Sequence, residues 1–363
     1  MQGVTTRVRD TSAPRAQTTS YFLCFGLVGI LSATLGPSLA SFATATHSPL
    51  TALSILFTVD AFGSVCGSLL AGQLLNRFPP HLQAIAGLTG ITAITVLMPF
   101  ISDRMLLIPA WWFLGMSKTF LIVTVNTLLV WVRRGTVGPY MNAADFCLGL
   151  GSLLMPIVIA QSINWTGDVR WAYWVAAAVA VTLIVRLGTL ASPSLTAEPD
   201  EPPAARVNYR FVLSVALLLF FYVGAEVSFA GWIPSYSLTR GIAGSAADAA
   251  YFTSLFWVAV TVGRLLWLPF TRRMSAGRMI MVSVLACVLT LAAIALSPAA
   301  PVFLGVGTVV FGLSMSSIFP SAFTLLARRG QVTGRVSALC LCAASIGAML
   351  FPLLIGQFLI SHG

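Results

Sequence analysis

Five ionisable side chains interrupt long apolar stretches of this chain: Asp60, Lys118, Asp145, Glu226 and Arg264. A charge at the middle of a membrane helix costs about 2.5–3.5 kcal/mol on insertion scales, so each needs a task or a partner. Lys118 is the only lysine and falls about halfway along its apolar run. Two readings are open for it: a cationic contact for an anionic or polyhydroxylated substrate, or a fixed partner for Asp60 or Asp145. Glu226 shares a helical face with Tyr222, Phe229 and Ile233. A carboxylate among aromatic rings suits proton or sodium coupling, because arrival of an ion or substrate can change its protonation. Its alternative is a structural bond to backbone unwound near Gly231-Trp232-Ile233-Pro234, where proline frees a carbonyl.

Asp60 lies on the face of Phe57, Gly63, Ser64 and Gly67. The Gly-x-x-x-Gly spacing predicts close packing on another helix, which favours structural pairing over coupling. Asp145 is some two turns inside its span and is expected to form a gating salt bridge with an arginine of a neighbouring loop. Arg264 either gates or snorkels to the interface. Asn126 carries both donor and acceptor groups, which suits a hydroxylated ligand. Trp232 and Trp257 could stack on a sugar ring. Trp111, Trp112, Trp131, Trp165 and Trp171 fall near span ends, where interfacial anchoring accounts for them.

No catalytic constellation is expected. His47, His81 and His362 fall in loops or at the chain end, and no acid pairs with them by spacing. The six cysteines lie inside apolar runs without metal-ligand spacing. No Walker-type loop is present, so neither an enzyme, a metal, a cofactor nor ATP-driven pumping is expected.

The elements that must position these groups follow from composition. Charged residues make up 8 % of the chain and apolar ones 58 %, against roughly 25 % charged in a soluble protein. The chain belongs in a lipid bilayer. Its net charge of +10 sits in short loops, not in a basic stripe with surface aromatics, so no nucleic-acid partner is expected. Apolar runs long enough to span occur at 20–42, 50–74, 82–101, 105–131, 139–162 and 170–191, then at 210–234, 247–270, 278–297, 302–327 and 336–359. The first is too long for a signal peptide and is read as a retained helix. The prolines and acids of 192–208 make that stretch a linker between a six-helix bundle, 1–191, and a five-helix bundle, 209–363. Alternate loops carry fifteen arginines on one side and three on the other, so the amino terminus and linker are expected to be cytoplasmic in a cell (inner or plasma) membrane.

The chain is built twice from one plan. Gly151-Ser-Leu-Leu-Met-Pro156-Ile-Val-Ile-Ala-Gln161 returns 196 residues on as Gly347-Ala-Met-Leu-Phe-Pro352-Leu-Leu-Ile-Gly-Gln357. Gly67-Ser-Leu-Leu returns as Gly263-Arg-Leu-Leu, and Arg77 falls on Arg273. The fold expected is therefore all-α, with two pseudo-symmetric helical bundles and eleven spans. The second copy stops one helix early, leaving the twelfth span absent or truncated.

Two six-helix plans, a cytoplasmic central loop and a basic loop after the second span resemble the major facilitator superfamily. The signature of that loop, Gly-x-x-x-Asp-Arg-x-Gly-Arg-Arg, reads here Gly72-Gln-Leu-Leu-Asn76-Arg77-Phe-Pro79-Pro-His81. Gly72 and Arg77 fit, and the resemblance implies a gating role for Arg77; Asn76 and Pro79 depart. Asn126-Thr-Leu-Leu-Val-Trp131, Gly138-Pro-Tyr-Met-Asn142-Ala, Phe146-Cys-Leu-Gly149-Leu-Gly151 and Tyr222-Val-Gly-Ala-Glu226-Val-Ser-Phe-Ala-Gly-Trp232 are similar to the branch of fucose–proton symporters and sodium-linked glucose transporters. Ile122 stands where that branch tends to have an acid, and Asp145 where it often has histidine. The resemblance implies a monomeric secondary transporter of a small polar solute, sugar or a related metabolite, by alternating access, with the seventh span lining the cavity and a proton favoured over sodium. The alternatives are an exporter of drugs or metabolites, and a non-transporting scaffold or sensor of the same fold.

Overall fold

A computed structural model describes residues 12–74, 77–133, 137–193, 208–267, 269–270, 273–329, 331 and 334–362. The first half contains α1 (Ser12–Ser32), α2 (Leu35–Ala45), α3 (Ile55–Leu74), α4 (Pro80–Leu97), α5 (Arg104–Val132), α6 (Val137–Thr166) and α7 (Arg170–Gly188). The second contains α8 (Tyr209–Thr239), α9 (Ala246–Trp267), α10 (Ala276–Leu296), α11 (Pro301–Met315), α12 (Ile318–Arg328) and α13 (Gly334–His362). Among the described residues ten helical stretches are long and apolar enough to cross a membrane, α11 and α12 together forming one, and the pair α1–α2, bent by 46°, makes an eleventh. The 192–208 linker lies almost wholly outside the described residues, as does Asn76 of the loop motif.

Helix ends are set locally. Asp103 accepts a hydrogen bond from the backbone N–H of Met105, Asn208 from Phe211 and Ser275 from Arg278, each satisfying a first-turn donor. Pro80 and Pro301 occupy first-turn positions, where a missing N–H costs nothing. Pro234 does not unwind its helix as expected: α8 runs unbroken from Tyr209 to Thr239. The Ala230 carbonyl that Pro234 cannot bond takes the Thr253 hydroxyl of α9 instead, at 3.2 Å. Glu226 is thereby released from that structural duty.

The two largest cores among the described residues lie mainly one in each half. The first gathers Tyr21, Leu39, Phe42, Trp111 and Tyr173, the second Val212, Phe256, Phe311 and Leu326. Trp111 is no interfacial anchor. It is 1 % exposed and packs edge-on against Phe42, because the bend after α1 turns α2 in over the bundle. Trp165 and Trp171 are exposed, as anchors should be. Apolar side chains such as Met281, Leu285, Val288 and Leu289 cover the outside of α10, a surface suited to lipid tails and unsuited to water.

The repeat reappears as packing. A Cβ on Gly151 of α6 would run into the Gly26 carbonyl of α1, and one on Gly347 of α13 into the Phe220 carbonyl of α8. Gly63 and Gly67 of α3 lie against the backbone of Trp112 and Met116 on α5, while Gly263 of α9 meets Leu313 of α11 and the nearby Ser316. Small residues let helix backbones touch, which replaces the hydrophobic driving force that lipid removes.

The halves meet along a seam that is tightest on the side with few arginines. There Gly36 packs on Gly231, Trp232 donates to the Pro352 carbonyl at 3.1 Å and lies 5.9 Å from the Phe57 ring, and Gly356 covers Ser54. Gln161 donates to the Tyr251 hydroxyl between α6 and α9. Toward the arginine-rich side α6 leaves the seam. Gly149 is buried against Thr261, yet Asp145, one turn on along the same face, is exposed.

Candidate functional site

Two groups of charges stand on or beside this seam. In the first, α3 and α5 pack so closely at Gly63, Gly67 and Gly115 that Asp60 and Lys118 are brought together. Lys118 Nζ donates to Asp60 Oδ2 at 2.7 Å, with side chains 10 % and 19 % exposed. Of the two readings open for Lys118, this geometry is the ion pair, and the partner is Asp60, not Asp145. The other oxygen, Asp60 Oδ1, is buried without a hydrogen bond. Two residues before Asp60, Thr58 donates to the Met349 carbonyl of α13, so the pair sits beside the junction with the second half.

The second group crosses the seam. Glu226 accepts from the Tyr222 hydroxyl at 2.9 Å, one turn away on α8. The Thr253–Ala230 bond sets the register of antiparallel α8 and α9, which brings Glu226 level with Trp257. Arg264, two turns further along α9, acts electrostatically on Glu226 and Tyr222 of its own half and on Asp145 of the other. It closes an ion pair with none of them: among the described residues only Lys118–Asp60 and Arg170–Asp168 come within 4.0 Å. Asp145 thus has a charged neighbour of a different kind from the one expected. That arginine lies on a helix of the opposite half, and the loop residues Arg134 and Arg272 are outside the described residues.

Trp257 packs against both cores, and its indole N–H is buried without a partner. The Ser254 hydroxyl, one turn away and 5 % exposed, is also unpartnered. The remaining expected residues are dispersed. Phe229 lies in the aromatic core of the second half, 4.4 Å from the Phe311 ring. Trp232 seals the seam against Phe57 and Pro352. Asn126 is exposed on α5, two turns past Lys118, and Arg77 is exposed in the turn after α3. Two surface cavities, of about 720 Å³ around Phe100 and Pro109 and about 390 Å³ around Ser41 and Asp168, hold none of the five embedded charges.

His81 is a polar residue whose place sequence spacing missed. It opens α4 rather than lying in a loop, and is 4 % exposed. Its Nε2 meets the Tyr21 hydroxyl at 2.9 Å and its Nδ1 the Leu190 carbonyl at 3.1 Å. The carbonyl can only accept, so Nδ1 carries the proton and Tyr21 donates to Nε2. Its partners are 60 and 109 residues away, so no local spacing announces the bond.

Residues 21–352 match the description of the Major Facilitator Superfamily. The chain is 25 % identical to sodium-dependent glucose transporter 1 of Xenopus laevis over 353 residues, covering 89 % of this chain and 72 % of that protein. With the Homo sapiens protein of the same name it shares 26 % over 370 residues, 91 % and 71 % of the two chains. With major facilitator superfamily domain-containing protein 4A of Homo sapiens it shares 22 % over 445 residues, 95 % and 87 %. Among solved structures, the nucleoside transporter NupG superposes with a TM-score of 0.75 at 14 % identity, covering 97 % of this chain and 92 % of that one. A bacterial homolog to the human lysosomal transporter Spinster gives 0.72 at 14 %, covering 96 % and 82 %.

Proposed function

The chain belongs to the Major Facilitator Superfamily, and we propose that it is a secondary transporter that carries a small hydroxylated solute, a sugar or related metabolite, with a cation as coupling ion. It is a multi-pass membrane protein of a transporter family, and its relatives are transporters rather than enzymes. The observation that supports the reading best is the Glu226 carboxylate, bonded to the Tyr222 hydroxyl at 2.9 Å and level with the unbonded Trp257 indole N–H and Ser254 hydroxyl of α9. A carboxylate beside the junction changes its surroundings whenever the halves rock, which couples conformation to ion occupancy. Glu226, with Tyr222, is the coupling carboxylate, and a proton is the favoured ion. Trp257 and Ser254 offer unpaired donors at the same depth, as a hydroxylated solute requires.

Relatives named for sodium-dependent glucose transport support a sugar, and the fold likeness to a nucleoside transporter agrees with it. The arginine bias supports a cytoplasmic amino terminus. With that orientation the tight side of the seam is external. The bundle boundary is assigned to 192–208, and the working unit is a monomer.

Purified protein in liposomes, given radiolabelled D-glucose under an imposed proton or sodium gradient, tests the reading. Gradient-driven uptake that Glu226→Gln abolishes is expected. Uptake indifferent both to gradients and to Glu226→Gln would sink coupled transport.

A further inference from the structure

A groove on the outside of the first half has the proportions of a lipid chain. It runs between α4 and α5 at their arginine-poor ends and encloses about 720 Å³. Leu97, Phe100 and Leu106 stand at its rim, each more than half exposed. Leu106, Ala110 and Phe113 share one face of α5, and the small middle residue leaves the hollow. From Asp103 at the mouth to Phe113 at the inner end α5 rises about 15 Å. That is half of the roughly 30 Å hydrocarbon core, so the groove is one leaflet deep. The outer face of α10, by contrast, is a ridge of Met281, Leu285, Val288 and Leu289.

The mouth carries acceptors that lack donors. Asp103 caps α5 through Oδ1, which accepts from the Met105 N–H at 2.8 Å. Among the described residues no cation comes within 4.0 Å of its carboxylate. That full negative charge outweighs the half positive charge of the helix N-terminus. A second acceptor stands beside it, because Pro109 has no N–H to return to the Met105 carbonyl. The Ala230 carbonyl, freed in the same way by Pro234, is met by the Thr253 hydroxyl. Among the described residues no side chain does this for Met105. On the opposite lip Arg170, about half exposed, lies over the Phe100 ring, 5.4 Å from its centroid. Its Nε holds Asp168 at 2.6 Å, which leaves the terminal nitrogens to donate to an anion.

We propose that this groove holds one acyl chain of an ethanolamine phospholipid from the adjoining leaflet, its ammonium on Asp103 and the Met105 carbonyl and its phosphate at Arg170. The groove faces the bilayer, so its occupant arrives sideways and is apolar along its length. The headgroup follows from the acceptors. A primary ammonium donates to both of them and neutralises the carboxylate. Choline is equally cationic but has no N–H to donate. A glycerol headgroup leaves the lipid a net anion, which Asp103 repels. A sterol hydroxyl would leave the Asp103 charge unpaired. Bound here, the lipid ties the ends of α4 and α5 together, away from the seam and whatever solute is carried.

Photolabelling in phosphatidylcholine nanodiscs tests this. The probe is a trace of phosphatidylethanolamine with a diazirine near the end of one acyl chain, and labelled residues are mapped by peptide mass spectrometry. Labelling should concentrate at Ile94, Ala110 and Phe113, well above Val288 and Leu289 of α10, which report ordinary lipid contact. One charge-assisted hydrogen bond favours ethanolamine over choline about ten-fold. Replacing about a third of the phosphatidylcholine by unlabelled phosphatidylethanolamine should then cut groove labelling about four-fold and leave α10 unchanged. Phosphatidylglycerol at the same fraction should not cut it. Asp103→Asn caps α5 equally well and should erase the ethanolamine effect. Ile94→Trp fills the inner end and should remove the groove labelling; if that variant does not fold, the parent and Asp103→Asn decide. Groove labelling no stronger than on α10 means fluid lipid only and overturns the proposal. So does an ethanolamine effect that is absent in the parent or survives Asp103→Asn, and so does stronger displacement by phosphatidylglycerol.

Discussion

Replacing Lys118 by methionine leaves Asp60 as a lone carboxylate between α3 and α5. Its Oδ1 already lacks a hydrogen bond, and its Oδ2 loses the one at 2.7 Å. Breaking a buried ion pair by removing one partner costs about 3–5 kcal/mol. Asp60 keeps 19 % of its side-chain exposure, so some water reaches it, and about 2–3 kcal/mol is the better figure here. Asp60→Asn should cost a similar amount by stranding Lys118. The double variant Asp60→Asn/Lys118→Met strands neither charge and should return to within about 1 kcal/mol of the parent. The interaction term is then about 3 kcal/mol or more, and it measures the coupling of the two charges, not a net gain over an uncharged pair.

Melting of the detergent-solubilised protein at a fixed scan rate, followed by tryptophan fluorescence, reads this out. For a unit the size of one bundle, 2–3 kcal/mol corresponds to roughly 5–10 °C in apparent Tm. Parent and double variant should melt together, with both single variants below them. Equal melting of Lys118→Met and the parent would refute the ion-pair argument. So would a double variant less stable than either single one. Should Lys118→Met keep its stability but lose glucose binding, Lys118 is a solute contact after all.

Thr253→Val should cost about 1 kcal/mol by orphaning the Ala230 carbonyl, and should cost nothing in a Pro234→Ala background, where a backbone N–H replaces the hydroxyl; apparent Tm distinguishes the two. Gly151→Val and Gly347→Val should each abolish monodisperse expression in size-exclusion profiles, because the new Cβ meets a backbone carbonyl that no side-chain rotation can relieve. In a cysteine-free background, Ser54→Cys should react slowly with a membrane-impermeant maleimide from the arginine-poor side. Adding Trp232→Ala, which removes the bond to Pro352 and the Phe57 contact, should raise that rate several-fold.

The spans were legible because a bilayer demands about twenty apolar residues in a row, a long and local signal. The paired glycines were legible for a similar reason: a four-residue spacing fixes a helix face whatever that face meets. What the face meets is not local. Lys118 could have paired with Asp60 or Asp145 on any reading of periodicity, and only the docking of α3 on α5 decides. The docking of α6 on α9, which places Arg264 and Asp145 on facing helices, has no sequence period either. Trp111 was misplaced because depth in a span says nothing about which way α2 bends over it. Whether Pro234 breaks its helix is not legible locally either, because the compensating hydroxyl, Thr253, sits on another helix.

The same contrast separates the scaffold from the site. At the repeat offset of 196 residues the packing glycines recur: Gly151 and Gly347 each meet a backbone carbonyl, while Gly67 meets the Met116 carbonyl and Gly263 chiefly the Ser316 side chain. The embedded charges do not recur. Asp60 falls on Phe256, which is fully buried in an aromatic core, and Lys118 on Ser314, whose hydroxyl bonds back to Val310. Glu226 falls on Ile30, Asp145 on Leu341 and Arg264 on Ser68. In the transport cycle proposed above, the halves rock between an inward and an outward state. A ligand moves such a balance only through what differs between the states. On this seam that difference resides in side chains that only one half carries, and a cation meeting Glu226 finds no counterpart of it across the seam.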